Sequence, residues 1–178
     1  MPGFNVPSYT TSNISIGPGI LFLAVAGTTP TVDVGAVRSG ELTITREKLD
    51  VDQGFPAQPV VSYAVSEDVT LTINAIEWDF THLAQALGAG VVTGTTQLDF
   101  GGDPNFSEVA IKYQHRMAAG STIVIDIWKA NGSGEITTTF GDDVQEFPYS
   151  FTALNATTSW DSATLGDTTS MFQIRRTD

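Results

Sequence analysis

Apolar and polar residues alternate with a period of two along most of this chain, which is the pattern of half-buried β-strands. In the clearest run, residues 69–76, Val69, Leu71, Ile73 and Ala75 fall on one face. Thr, Val, Ile and aromatic residues dominate such runs, and Gly, Asn, Asp and Pro separate them. The predicted strands are 20–26, 41–45, 60–65, 69–76, 91–100, 108–113, 121–128, 135–140, 145–154 and 170–175, with a hairpin turn at 130–134.

One segment, EWDFTHLAQALGAG, has the period of a helix instead. Its apolar stripe, spaced i, i+3, i+4 and i+7, consists of Phe80, Leu83, Ala84 and Leu87. Asp79 is suited to cap the first turn and Gly88 to follow the last. The sequence therefore predicts a mainly β domain, an antiparallel β-sandwich or barrel with one short α-helix on its flank.

The stretch REKLDVDQGFPAQPV, residues 46–60, interrupts the alternating pattern. It follows the well-patterned strand ELTIT and precedes VVSYAV, and it is charged and rich in turn-forming residues. We interpret it as a loop that leaves the sheet, which raises the question of what such a loop contacts.

Length and composition narrow the class of protein. The chain has 178 residues, enough for one domain, and it has no cysteine, which excludes disulfides, thiolate metal sites and a cysteine nucleophile. Its net charge of −12 argues against a protein that binds nucleic acid tightly or associates with an anionic membrane. The apolar run 20–26 lacks a basic flank and is too short to span a bilayer, so we expect no export signal and no membrane segment.

Candidate catalytic and metal-binding patterns are weak. Neither histidine, His82 or His115, lies in a metal-ligand spacing, and we interpret both as ordinary surface or boundary residues. The turn DFGGDPN resembles a calcium loop but lacks its closing glutamate. No phosphate-binding or nucleophile motif occurs. We therefore expect no enzymatic activity, no cofactor and no metal.

The order of elements resembles that of a known family, the major tail tube proteins of tailed bacteriophages. The resemblance is carried by GELTITREKLDVDQG, by PVVSYAVSEDVTLTINAIEWDFTHLAQALGAG and by the late strand GDDVQEFPYSFTALNA. It covers residues 14–155 in the order strand, acidic loop, return strand pair and short helix. In the ending HLAQALGAG, Leu83, Leu87 and Gly88 occupy the matching places.

The resemblance implies a single domain over residues 1–178, with an N-terminal arm at about 1–18 and a C-terminal segment at about 161–178. It implies a virion protein, assembled in the bacterial host cytoplasm, whose hexameric rings stack into the tube that conducts DNA during ejection. Its partners would be further copies of itself and the terminator, tape measure and baseplate proteins. The loop would form the inter-ring interface, with Arg46, Lys48, Asp50 and Asp52 offering ion pairs and Phe55 an apolar anchor.

The acidity of the chain acquires a role under this interpretation. A wall of like charge repels the duplex and prevents it from sticking, so DNA would pass without specific binding. The uncharged residues 1–32 suit an arm that lies across a neighbour without desolvating ions.

Two other classes stay open besides an enzyme, which is the least favoured alternative because no nucleophile, metal cluster or cofactor loop is visible. One is a different virion component, such as a tail-completion, baseplate or decoration protein. The other is a carbohydrate-binding β-sandwich, for which Trp78, Trp128 and Trp160 would form a stacking platform, although packing in a core or interface suits Trp78 and Trp128 better.

Overall fold

The structure, a computed structural model, describes residue 15 and residues 17–102, 104–166 and 170–177. Ten strands and one helix are formed within these ranges. In chain order they are β1 Ile20–Val25, β2 Val32–Asp33, β3 Val37–Gln53, β4 Gln58–Ala75, α1 Phe80–Leu87, β5 Val91–Thr93, β6 Gln97–Asp99, β7 Glu108–Arg116, β8 Thr122–Gly132, β9 Phe147–Ala153 and β10 Phe172–Thr177. All pairings between the strands are antiparallel, so the predicted mainly β fold with a short helix is confirmed.

Eight of the strands form one sheet in the order β2-β1-β7-β8-β9-β4-β3, with β10 joined to β8 off this path. The first half of β8 pairs with β10, from Thr122 to Ile127, and its end pairs with β9, from Ala130 to Gly132. β8 therefore lies between β7 and β10 over its first half and between β7 and β9 at its end. The short strands β5 and β6 pair separately as a small hairpin.

Contacts at Tyr113 show that β7 and β3, which are distant in the strand order, face each other across the core. The Tyr113 hydroxyl accepts a hydrogen bond from the Gly19 N–H at 3.0 Å. Across the core, a Cβ atom on Gly40 of β3 would lie only 2.7 Å from the same hydroxyl, so only glycine allows this approach.

The core is formed by the inward faces of β1, β4, β7, β8 and β9. In the last part of β4, from Val69 to Ala75, every second residue is buried, as predicted for Val69, Leu71, Ile73 and Ala75. The largest fully buried side chains are Tyr149, Phe147, Phe151, Leu21, Leu23, Leu71, Ile73, Ile111, Ile127, Val69, Val109 and Val124.

The helix lies where the sequence predicts it, and its caps are those expected. The Asp79 carboxylate accepts hydrogen bonds from the N–H groups of Thr81 and His82 at 2.8 and 3.0 Å. Gly88 ends the helix in the left-handed region at φ 70°, which favours glycine. The helix packs closely on the end of β8, where a Cβ on Gly132 would meet the Ala86 carbonyl.

Several sequence-based predictions of strands are wrong. Residues 135–140 form no strand, and residues 91–100 form the hairpin of β5 and β6 rather than one strand. The predicted turn at 130–134 is wrong because Ala130–Gly132 continue β8, where Ala130 and Asn131 pair with both β7 and β9. The two strands predicted at 60–65 and 69–76 are a single strand, β4.

The predicted terminal segments are described only in part. Residues 1–14 and 16 of the N-terminal arm lie outside the described residues, and Ser15 bridges to Met117. Most of the C-terminal segment is described, and its strand β10 lies beside β8 as part of the sheet.

Candidate functional site

The distal parts of β3 and β4 form a two-stranded extension, residues 43–68, which we call the hairpin arm. Every residue of the arm is exposed. β9 pairs with β4 only from Thr70 to Ala75, so among the described residues the two strands of the arm pair only with each other. The arm therefore presents two faces and two unpaired backbone edges to its surroundings.

The arm corrects the prediction of an irregular loop at residues 46–60. The ladder between β3 and β4 continues to the pair Gln53 and Gln58, and only residues 54–57 form a turn. Bulges interrupt the register between Glu47 and Lys48 and between Val51 and Asp52. The loop prediction is wrong because the charges and turn residues of this stretch outweighed a short alternation, that of Leu49 and Val51 with charged neighbours.

One face of the arm holds the predicted charged residues Arg46, Lys48, Asp50 and Asp52. They alternate along β3, and alternate residues of a strand point to the same side. Arg46 Nε lies 2.7 Å from Glu67 Oε1 on the opposite strand, and Lys48 Nζ lies 3.0 Å from Asp50 Oδ2. These ion pairs are internal to the arm, so this face can approach a partner without leaving those charges unpaired.

Asp50 is held in its ionised form. The Ser62 hydroxyl donates a hydrogen bond to its carboxylate, and this bond, followed by that from Lys48, lowers the pKa of Asp50. The Asp50 carboxylate thus stays ionised at neutral pH.

The opposite face of the arm is apolar, and sequence reasoning did not predict it. Leu49 faces Tyr63 and Val51 faces Val61 in the register of the two strands, so all four side chains point to the same side. Between 40% and 59% of each is exposed. The signal was present in KLDVD, where Leu49 and Val51 alternate with charges.

The tip of the arm carries Phe55, which is fully exposed. No charged side chain occurs between residues 53 and 66, so the tip and the start of the return strand are neutral. Phe55 is thus an apolar group at the far end of a projection, consistent in position with the predicted anchor.

A groove lies at the other end of the arm, between its base and the start of β10. It has a volume of about 230 Å³, and it is lined by Ile44, Thr45, Arg46, Glu67, Val69, Ser170, Met171 and Phe172. The Arg46–Glu67 ion pair forms part of its rim.

Beyond the arm, the titratable side chains are the candidates for a possible metal site. The described part of the chain contains no group of three His, Asp or Glu side chains placed to hold a metal. In the turn DFGGDPN, Asp103 lies outside the described residues. Among the described residues, no helix has the length and apolar character to cross a membrane.

The prediction that both histidines are surface or boundary residues is wrong for His82. Its side chain is buried, and burial lowers its pKa although Asp79 and Asp33 oppose the shift. The nearest carboxylate oxygen, Asp79 Oδ1, lies 3.6 Å from His82 Nδ1. The helical position of His82 did not reveal this burial, because it lies beside Leu83 and not on the predicted apolar stripe.

The tryptophans are engaged in packing. Trp128 is buried and meets Trp160 edge to face, with 4.5 Å between ring centroids. Trp78 is half exposed and packs against Phe147 at 4.4 Å and Phe140 at 6.2 Å. Burial of Trp128 removes it from any sugar-binding platform.

Asp126 lies on the face of β8 opposite Ile125 and Ile127, as its position in the alternation suggests. That side is not open: the Asp126 carboxylate is buried and accepts a hydrogen bond from Arg175 Nε at 2.7 Å. Asp126 is therefore not a group that could line a lumen.

No protein-family model and no curated protein matches this sequence.

Proposed function

We propose that this protein is the tail tube subunit of a tailed bacteriophage, a structural virion protein with no enzymatic role. Six copies form a ring, rings stack into a tube, and DNA passes through that tube during ejection. The observation that supports the proposal is the hairpin arm, which extends from a packed β domain and is exposed along its whole length.

The physical chemistry of the arm favours contact with other copies of the chain. Unpaired strand edges readily pair with another chain, and soluble monomers usually block such edges. Here the edges flank an apolar face of Leu49, Val51, Val61 and Tyr63. Covering each of these side chains contributes on the order of 1 kcal/mol, since about half of its surface is already buried.

The geometry of the contact also favours a polymer. The apolar tip and the apolar groove lie at opposite ends of the arm, so a contact that uses both is head to tail. Head-to-tail contacts that do not close on themselves generate filaments, and closed rings stacked through such contacts generate tubes.

Assembly would place the subunit in the virion, after formation in the bacterial cytoplasm. At the ends of the tube its partners would be terminator and baseplate proteins, and the tape measure protein would occupy the tube before DNA does. These partners follow from the resemblance in sequence order and from the proposed role.

The experiment that tests the proposal is negative-stain electron microscopy of the purified protein at increasing concentration. We expect hollow rings and tubes of unlimited length. Persistent monomers at high concentration would contradict the proposal. Assemblies of one fixed size would indicate a tail-completion, baseplate or decoration component instead.

A variant with a shortened arm tests whether the arm forms the contact between rings. Residues 49–63 are replaced by Asn-Gly, which joins the paired residues Lys48 and Ala64 in a two-residue hairpin. We expect the thermal unfolding temperature to stay close to that of the wild type, because no removed side chain is buried. Stacking of rings should be lost, and stacking that survives the truncation would show that the arm is not the inter-ring contact.

A further inference from the structure

We infer that Phe55 at the tip of the arm docks in the groove at the arm base of a second copy. The inference rests on the proposed function and specifies which surface of the neighbouring copy receives the tip. It joins two features that the subunit leaves unused: an exposed apolar ring and an apolar recess lined by Ile44, Val69, Met171 and Phe172.

The groove has the size and chemistry for a phenyl ring. Its volume is about 230 Å³. A dry apolar cavity of roughly 150 Å³ is enough to hold benzene. The side chains of Met171 and Phe172 pack against the hydrophobic core, so this wall of the groove is anchored.

Neither side of the contact brings an unpaired charge into it. No residue from 53 to 66 is charged, so insertion of the tip desolvates no ion. On the receiving side, the two charges at the rim, Arg46 and Glu67, already neutralise each other at 2.7 Å. The nearest acidic side chain before the tip, Asp52, precedes the neutral segment and can stay in solvent.

The occupant must be another copy, because the tip cannot reach the groove of its own subunit. Ile44 and Phe55 are separated by eleven residues of a strand and turn, which corresponds to roughly 35 Å at about 3.3 Å per residue. Folding the tip back would require breaking the ladder from Arg46–Glu67 to Gln53–Gln58.

The size of the contact explains why it would operate between rings. One face of the arm, about 35 Å long and two strands wide, covers far less than the roughly 800 Å² per partner that a stable isolated pair requires. Six such contacts between two rings act together and strengthen one another through effective concentration. The arm also limits the spacing of equivalent points in successive rings to at most about 35–40 Å.

Disulfide cross-linking tests the inference, since the chain has no cysteine of its own. Two single variants, Phe55→Cys and Met171→Cys, are mixed, assembled and oxidised. The control mixture pairs Phe55→Cys with Val25→Cys, a position on β1 that is more exposed than Met171, so accessibility alone would favour the control. We expect about tenfold more cross-linked dimer in the first mixture, because docking raises the local thiol concentration.

The outcomes separate the inference from the proposed function. Tubes that form without cross-linking above the control would overturn the docking of Phe55 and leave the tube intact. Dimers formed by Phe55→Cys alone would show that arms pair with arms, which also overturns it. A ring spacing well above 40 Å would exclude it, and absence of any ring or tube would reject both.

Discussion

At the scale of single residues, Asp126 is a buried carboxylate whose charge is balanced by one ion pair. Its carboxylate is buried in the sheet and 1% of the residue is exposed, while Oδ1 has no hydrogen-bond partner among the described residues. Arg175 on β10 supplies the opposing charge at 2.7 Å. This pair therefore couples the C-terminal strand to β8.

Replacing Arg175 by Met should leave the Asp126 carboxylate buried and uncompensated. We expect a loss of about 3 kcal/mol in the free energy of unfolding, measured by urea denaturation, because breaking one partner of a buried pair is more costly than removing both. The double variant D126N/R175M should recover much of this loss, since a neutral amide buries at lower cost. Equal stability of R175M and the wild type would show that the pair is not coupled to folding.

His82 gives a pH dependence whose sign follows from its burial. Because burial lowers its pKa below 6.5, the folded state binds fewer protons at His82 than the unfolded state does as the pH falls. The contribution of His82 to stability is therefore complete above about pH 6.5 and declines as the pH drops towards the folded pKa, by up to about 1.4 kcal/mol per pH unit. Denaturation of His82→Leu between pH 7 and 5 should show a correspondingly smaller slope, and an unchanged slope would contradict this assignment.

At the scale of elements, helix α1 depends on its N-cap. Asp79→Ala removes the acceptor of two N–H groups and should cost about 1 kcal/mol of unfolding free energy. Asp79→Asn, which keeps an acceptor oxygen, should cost less. Burial alone would raise the pKa of Asp79, but hydrogen bonds from the His82 and Thr81 N–H groups and from the Thr81 side chain lower it, so the cap stays ionised at neutral pH. Chemical denaturation of the two variants checks the order.

Elements that bury one face in their own subunit were predicted most closely from the sequence. The inward half of β4 and the capped helix α1 were predicted because burial imposes periods of two and 3.6 on their residues. Residues 135–140 alternate in the same way but form no strand, since pairing depends on neighbours that a local pattern does not specify.

The sequence predicted the position of the candidate site but not its structure. The interruption at residues 46–60 identified a segment that the subunit does not bury, and Phe55 is indeed exposed there. The pairing of Arg46 with Glu67 and of Leu49 with Tyr63 depends on the register between strands, including two bulges. That register joins residues about 14–21 positions apart, which periodicity within one strand does not reveal.

At the scale of the whole molecule, the residues that stabilise the fold and those proposed to mediate assembly lie in different regions. The core lies among β1, β4, β7, β8 and β9, whereas residues 43–68 contribute exposed side chains only. Under the proposed function, arm variants should therefore change association without weakening the domain, whereas R175M should weaken the domain. This separation makes the proposed assembly testable by mutation without the confounding effect of misfolding.

Net charge provides the last prediction, which concerns the assembled tube and DNA. Six copies at −12 each give a ring a formal charge of −72. Duplex DNA carries roughly one negative charge per 1.7 Å of its axis, and the repulsion acts within about 8 Å at physiological salt. We therefore expect no shift of duplex DNA by purified tubes in a gel at low salt, where screening is weakest. A tight complex that dissociates as salt is raised would show a cationic binding surface, which contradicts the proposed role of the acidic wall.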